Sequence, residues 1–202
     1  MIAVIDYGAG NLHSVKNALD YIGAKSKITG NAEEIMSADA VILPGVGAFG
    51  DCMSSLKEHG LIDTVKAAAQ SGKPFLGICL GLQLLFEESE ESPGVEGLGI
   101  FKGKIVKIPD KHGLKIPHMG WNNIELTKPS KLLSGNPYVY FVHSYYLCCE
   151  EENLVSAYTE YGEKLAVAVE RGNIFAVQFH PEKSGEAGME ILRRFAVLGG
   201  EG

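Results

Sequence analysis

The 202-residue sequence predicts an α/β fold: an open, mostly parallel sheet flanked by helices, with an antiparallel extension in its C-terminal half. Two patterns predict it. Residues 2–5, 40–43 and 75–78 are short, continuously apolar runs separated by segments of helical periodicity at 11–22 and 61–70. A strand that is apolar along its whole length must be covered on both faces, which is the situation of a parallel sheet between helices. From residue 100 onward, strand-like runs at 100–108, 138–142, 155–161, 165–170 and 174–179 follow one another with hardly any helix between them. Spacings that short favour antiparallel neighbours. Residues 185–198 close the chain as an amphipathic helix.

Length and composition fit one domain over 1–202, large enough to bury a core without disulfides or metal. No repeat or linker interrupts it. The net charge of −7 and pI near 5.4, with basic residues scattered singly, speak against nucleic acid as a partner. The start of the chain lacks a basic region followed by an apolar core, and no apolar run reaches the roughly 18 residues that span a bilayer. A cytoplasmic protein with no membrane association is the expectation. Cys52, Cys79, Cys148 and Cys149 are too irregular for a disulfide framework, and the adjacent pair makes a poor zinc site, so free thiols are expected and no metal. The run 87–91 carries four carboxylates and reads as a solvated helix end, although acids at a helix C-terminus oppose its dipole and at least one can have another task.

Three loops carry candidate chemistry. Cys79 falls at the carboxyl end of a predicted parallel strand, where sites gather in open α/β sheets, and is bracketed by Gly77 and Gly81. A strand-to-helix turn sharp enough to project a nucleophile needs small neighbours on both sides. The helix N-terminus behind the sulfur favours the thiolate, and the Leu80 amide is offered to an oxyanion. A thiolate also needs an acid/base partner. Of six histidines, His13, His59, His112 and His118 lie in helical or polar segments and read as surface or structural residues. His143 follows an apolar strand and is a better candidate. His180 is better still, because it ends the strand Ile-Phe-Ala-Val-Gln-Phe and is followed by Pro181 and Glu182: proline fixes the turn, and the carboxylate can fold back to orient the imidazole. The third loop, Pro44-Gly-Val-Gly-Ala-Phe49, lacks the lysine of a phosphate-binding loop and suits a turn that presents backbone amides to an oxyanion.

Gly77-Ile-Cys-Leu-Gly-Leu-Gln83 together with Phe179-His-Pro-Glu182 resembles the triad-type, class I glutamine amidotransferases, whose fold is flavodoxin-like. More narrowly, Asp6-Tyr-Gly-Ala-Gly-Asn-Leu12, the Pro44 loop, Phe86-Glu-Glu-Ser-Glu-Glu91, Pro117-His-Met-Gly-Trp-Asn122 and Phe141-Val-His-Ser-Tyr145 resemble the glutaminase subunits of imidazole glycerol phosphate synthase. The likeness spans essentially the whole chain. It implies Cys79 as nucleophile, His180 as acid/base and Glu182 as its orienter. It further implies an oxyanion hole of Gly45, Val46, Gly47 and Leu80, and a glutamine site of Gln83, Glu91 and the main chain at Ser144 and Tyr145, with Glu91 pairing the substrate ammonium. It implies no cofactor, a role in histidine biosynthesis, and a heterodimer with a separate (β/α)8 cyclase subunit that receives the ammonia. Asn11 and Trp121 are assigned to that interface, Trp121 because the sole tryptophan sits in what reads as a glycine-asparagine turn.

Two further expectations concern the Pro44 loop. It rests with a carbonyl facing the site, because valine resists the positive φ that presenting its amide would require, and Gly45→Ala leaves folding and complex formation largely intact while depressing the cyclase-stimulated glutaminase more than tenfold. The competing readings are the glutaminase subunit of another synthase, such as pyridoxal phosphate synthase, and a cysteine peptidase or redox sensor built on the same elbow. Gln83 and His180-Pro-Glu182 argue against the last, since a sensor needs neither.

Overall fold

The protein is described from a computed structural model covering residues 1–110 and 113–200; His112 lies outside the described residues. The first half alternates strand and helix: β1 (Ile2–Ile5), α1 (Leu12–Tyr21), β2 (Ser26–Thr29), α2 (Ala32–Ser37), β3 (Ala40–Gly45), α3 (Phe49–Glu58), α4 (Ile62–Gln70), β4 (Phe75–Cys79) and α5 (Leu80–Leu84). The second half is strand-rich: β5 (Glu88–Ser89), β6 (Gly103–Lys107), β7 (His118–Asn123), β8 (Glu125–Leu126), β9 (Tyr138–His143), β10 (Tyr145–Cys149), β11 (Val155–Glu160), β12 (Lys164–Arg171) and β13 (Ile174–Val177), closed by α6 (Gly185–Leu198).

Strands β2, β1, β3, β4 and β13 lie side by side in that order and are parallel throughout. Beyond β13 the sheet turns antiparallel through β12, β10 and β6, and the short β5 then pairs with β6 in parallel. A separate antiparallel ribbon pairs β7 with β9. This is the α/β architecture with an antiparallel extension that the sequence predicts.

The apolar strands divide their side chains between two cores. Ile5, Val41, Leu43 and Phe75 pack with Phe49, Leu56, Val65 and Ala68 of α3 and α4 on one face. Ile2, Val4, Ile42, Leu76 and Ile78 pack with Val15, Leu19, Leu192 and Phe195 of α1 and α6 on the other. Successive strand residues face opposite ways, so covering both faces requires apolar residues at every position.

Parallel pairing has a direct consequence for function. Gly45, the last residue of β3, lies opposite Cys79, the last residue of β4, and Val177 at the end of β13 lies opposite Ile78. The Pro44 loop, the Cys79 elbow and the His180 turn therefore leave the sheet from one edge, although they are far apart in sequence.

Two expectations change. Trp121 lies within β7, paired with Tyr140 of β9, rather than in a turn; Gly120 beside it takes φ +129, the signal that reads as a turn in the sequence. The acidic run is not a helix end, since α5 stops at Leu84 and Glu88 is in β5. Its carboxylates accept backbone N–H donors instead: Glu87 from Gly103 at 2.9 Å, Glu90 from Lys107 at 2.9 Å and Glu91 from Phe49 at 2.8 Å. Of the two readings left open for His118, surface or structural, the second holds, since it is 3% exposed on β7.

Candidate active site

The turn from β4 into α5 is unusually tight. Cys79 holds φ +55 and ψ −110, and it is the non-glycine residue at positive φ among the described residues. Such a conformation strains any residue with a Cβ and persists only where its surroundings over-determine it. Here they do. A Cβ on Gly81 would stand 1.9 Å from the Leu43 carbonyl oxygen, and one on Gly77 2.8 Å from the Gly81 carbonyl oxygen. Only hydrogen at both positions lets the first turn of α5 sit down on β3 and β4, which turns the Cys79 side chain out of the sheet edge.

The cavity at that edge has a volume of about 320 Å³, at the small end of the range for small-molecule sites and suited to an amino acid. Its wall includes Val46, Gly47, Cys79, Leu80, Gln83, Glu91, His143, Ser144, Tyr145 and His180. Most of the residues singled out in the sequence thus converge on one space. Gly45 sits behind it, lining with Asn11, Val46, His180 and Glu182 a narrow crevice at the back of the site. Trp121 does not enter the cavity; its ring lies against Gly185, and it is 56% exposed.

His180 and Glu182 are buried, with Nδ1 and Oε1 2.8 Å apart. The carboxylate accepts a hydrogen bond from Nδ1–H and leaves Nε2, which has no other hydrogen-bond partner, as the proton-bearing nitrogen available to the site. The turn is held from below: the Ser184 hydroxyl donates to the His180 carbonyl at 2.6 Å, and the His180 amide donates to Tyr140 at 3.0 Å. Burial alone disfavours the imidazolium, but the Cys79 sulfur and Glu182 carboxylate outweigh it and raise the His180 pKa to about 10. At neutral pH the site therefore favours the imidazolium form of His180.

Gln178 was not singled out from the sequence, yet it is fully buried and donates to Cys79 Sγ at 3.7 Å. Its Oε1 accepts from Gln83 Nε2 at 3.1 Å, and Gln83 Nε2 also reaches the Tyr145 carbonyl at 3.4 Å. The signal was present: one glutamine in the apolar strand Ile-Phe-Ala-Val-Gln-Phe needs a buried polar partner. The Pro44 loop is likewise anchored, with the Tyr7 hydroxyl donating to Pro44 at 2.8 Å and the Cys52 thiol to the Val46 carbonyl at 3.5 Å.

Gly45 does not tolerate a side chain. A Cβ there would lie 2.9 Å from the Gly81 nitrogen, Leu80 Cβ and Tyr7 Oη alike, which speaks against the expectation that Gly45→Ala leaves folding largely intact. The substitution should destabilise the protein by about 1–3 kcal/mol, as overpacking does; a urea unfolding midpoint equal to wild type would contradict this. His180 generates a second prediction. A folded-state pKa raised from 6.5 to about 10 contributes stability that is complete below pH 6.5 and lost as pH rises through 10. The margin in thermal midpoint of wild type over His180→Asn should accordingly narrow between pH 6.5 and 10, and a margin that widened would contradict the assignment.

Comparison with known proteins gives the family. The profile of the glutamine amidotransferase class-I family matches residues 3–198. The imidazole glycerol phosphate synthase subunit HisH of Methanothermobacter thermautotrophicus is 52% identical over 98% of both chains. That of Moorella thermoacetica is 50% identical over 98% of this chain and 94% of its own length. Among solved structures, a glutamine amidotransferase superposes with a TM-score of 0.77 at 23% identity, covering 99% of this chain and 100% of its own, and PurLQS from Thermotoga maritima with 0.76 at 19% identity, covering 96% of each. These last two speak for the fold alone. Identity at this level over nearly the full length, on a fold shared with glutamine amidotransferases, places the chain in the class-I glutamine amidotransferase family, among the HisH subunits of imidazole glycerol phosphate synthase.

Proposed function

We propose that this chain is the glutaminase subunit of an imidazole glycerol phosphate synthase, with Cys79, His180 and Glu182 as its catalytic triad. The observation that carries the reading is the convergence of a strained cysteine and a buried His-Glu pair on a cavity of amino-acid size. In this reading the Cys79 thiolate attacks the side-chain carbonyl carbon of glutamine, and the oxygen takes the negative charge. Leu80 and the Gly45, Val46 and Gly47 loop supply the amides for that oxyanion. His180 then passes its Nε2 proton to the carboxamide nitrogen, the C–N bond breaks, and ammonia leaves behind a γ-glutamyl thioester. The neutral imidazole next takes a proton from water, hydroxide displaces the sulfur, and glutamate and the thiolate are regenerated. Glu182 keeps the imidazole aligned and stabilises its charged form throughout.

Gln83, Glu91 and the Ser144 and Tyr145 main chain are the groups proposed to hold glutamine. Glu91 reaches the cavity while accepting from the Phe49 amide at the start of α3, so its carboxylate is fixed where a substrate ammonium would meet it. The partner proposed from the family resemblance is a (β/α)8 cyclase, to which ammonia passes without meeting bulk water. Its docking face includes Asn11 and Trp121. Trp121 shares one side of the β7–β9 ribbon with Met119 and Tyr138, all more than half exposed, and tryptophan at such a face is a frequent interface anchor. No helix among the described residues is long and apolar enough to cross a membrane; a cytoplasmic location is part of the proposal.

The test separates the two halves of the reaction. Cys79→Ala should abolish glutamate release from glutamine in the complex, while added ammonium salts still support the cyclase reaction. Glutamine turnover surviving the substitution would overturn the assignment.

A further inference from the structure

The ribbon that carries Trp121 has a second side. Met119, Trp121 and Tyr138 point outward, whereas His118, Phe141 and His143 point inward and are buried. His118 and His143 are register partners across β7 and β9. His118 Nδ1 lies 3.0 Å from His143 Nε2, and His143 Nδ1 lies 2.8 Å from the Tyr145 carbonyl oxygen.

These contacts fix both tautomers. A carbonyl oxygen only accepts, so His143 carries its proton on Nδ1 and its Nε2 is bare. His118 must then donate from Nδ1, which leaves its own Nε2 as an acceptor, and the Asn122 side-chain amide supplies that donor at 3.4 Å. The same amide donates to the Glu160 carbonyl at 2.8 Å, so its nitrogen is the end facing the imidazole. The chain is directed throughout, from Asn122 through two imidazoles to Tyr145. His118 is further clamped between the Phe141 and Tyr161 rings, with centroids at 4.7 and 4.0 Å. Burial holds both histidines in the neutral form this wiring requires, lowering His118 to about 4 and His143 to about 3. A second cation beside the His180 imidazolium is thereby avoided.

Resting on the glutaminase reading above, we propose that His118 and His143 are positioning residues for glutamine. Their hydrogen-bond chain fixes the Tyr145 carbonyl, and with it the Ser144 and Tyr145 main chain, and ties that segment to the strand bearing Trp121. The Tyr145 carbonyl also receives Gln83, whose partner Gln178 touches the Cys79 sulfur, so the relay sets the height of the substrate against the nucleophile. Neither histidine exchanges a proton with the substrate in this arrangement.

Isosteres of the two ring nitrogens test it. His118→Asn puts an amide nitrogen near the Nδ1 position and keeps the donor to His143, whereas His118→Gln, closer to histidine in size, reaches the Nε2 position and loses it. Steady-state glutamate release in the complex with the cyclase is expected to give a KM for glutamine within about threefold of wild type for Asn. For Gln a KM at least tenfold higher is expected, with kcat within about threefold. His118→Phe keeps the stack between Phe141 and Tyr161 and should match Gln, so the comparison survives if one variant fails to fold. A merely structural role would rank Gln above Asn. If wild type turns glutamine over and His118→Gln and His118→Phe leave KM within twofold, the relay is overturned alone; a wild type that releases no glutamate overturns the glutaminase reading itself.

Discussion

The contact between Gly81 and the Leu43 carbonyl, closer than any side chain allows, is the constraint on which the rest of the site depends. It brings α5 onto the parallel strands so tightly that the residue between β4 and α5 has no ordinary backbone conformation open to it. Cys79 occupies that position at φ +55. The strain is borne by two apolar cores that clasp the sheet from both faces, and what it yields is a sulfur at the sheet edge with the helix amides behind it. Everything else in the cavity is arranged around that fixed point.

Parallel pairing does the remaining assembly. Because β3, β4 and β13 run the same way in adjacent register, the loop with Gly45, the elbow with Cys79 and the turn with His180 emerge together without any long-range device beyond the sheet itself. The antiparallel extension then supplies the opposite wall. Ser144 sits between β9 and β10, and Ile108, just past β6, donates to its carbonyl at 2.9 Å. The parallel strands thus carry the proposed triad, while the antiparallel extension walls the cavity opposite them.

Much of this was legible in the sequence because it rests on short-range rules. Continuous apolar strands gave the covered sheet, glycines two residues either side of a cysteine gave the elbow, and His180-Pro-Glu182 gave the pair whose partners lie two residues apart. The illegible parts share a physical cause, in that the deciding partner comes from distant sequence. Pro117-His-Met-Gly-Trp-Asn122 reads as a turn because of its glycine and asparagine, yet pairing with β9 makes it a strand. His118 reads as either a surface or a structural histidine, and only Phe141, Tyr161 and His143, closing around it, decide for the second. The acidic run reads as solvated because its donors, the amides of Phe49, Gly103 and Lys107, belong to other elements. Helix α3 is hard to read in the sequence for a related reason: it begins inside the glycine-rich loop, and its N-terminal amide is satisfied by Glu91 rather than by a local cap.

The account stands or falls on one claim, that the elbow makes Cys79 the reactive thiol of a glutamine site. Of the four cysteines, Cys148 is the exposed one and Cys79 is buried at the cavity wall. Ranking by exposure and ranking by chemistry therefore disagree. Treating the protein with iodoacetamide in the presence and absence of glutamine, and mapping each cysteine by peptide mass while following glutaminase activity, decides between them. The account predicts that activity falls in step with modification of Cys79 and that glutamine slows modification at Cys79 alone. Full activity in protein modified at Cys79, or loss that tracks Cys148, would contradict it.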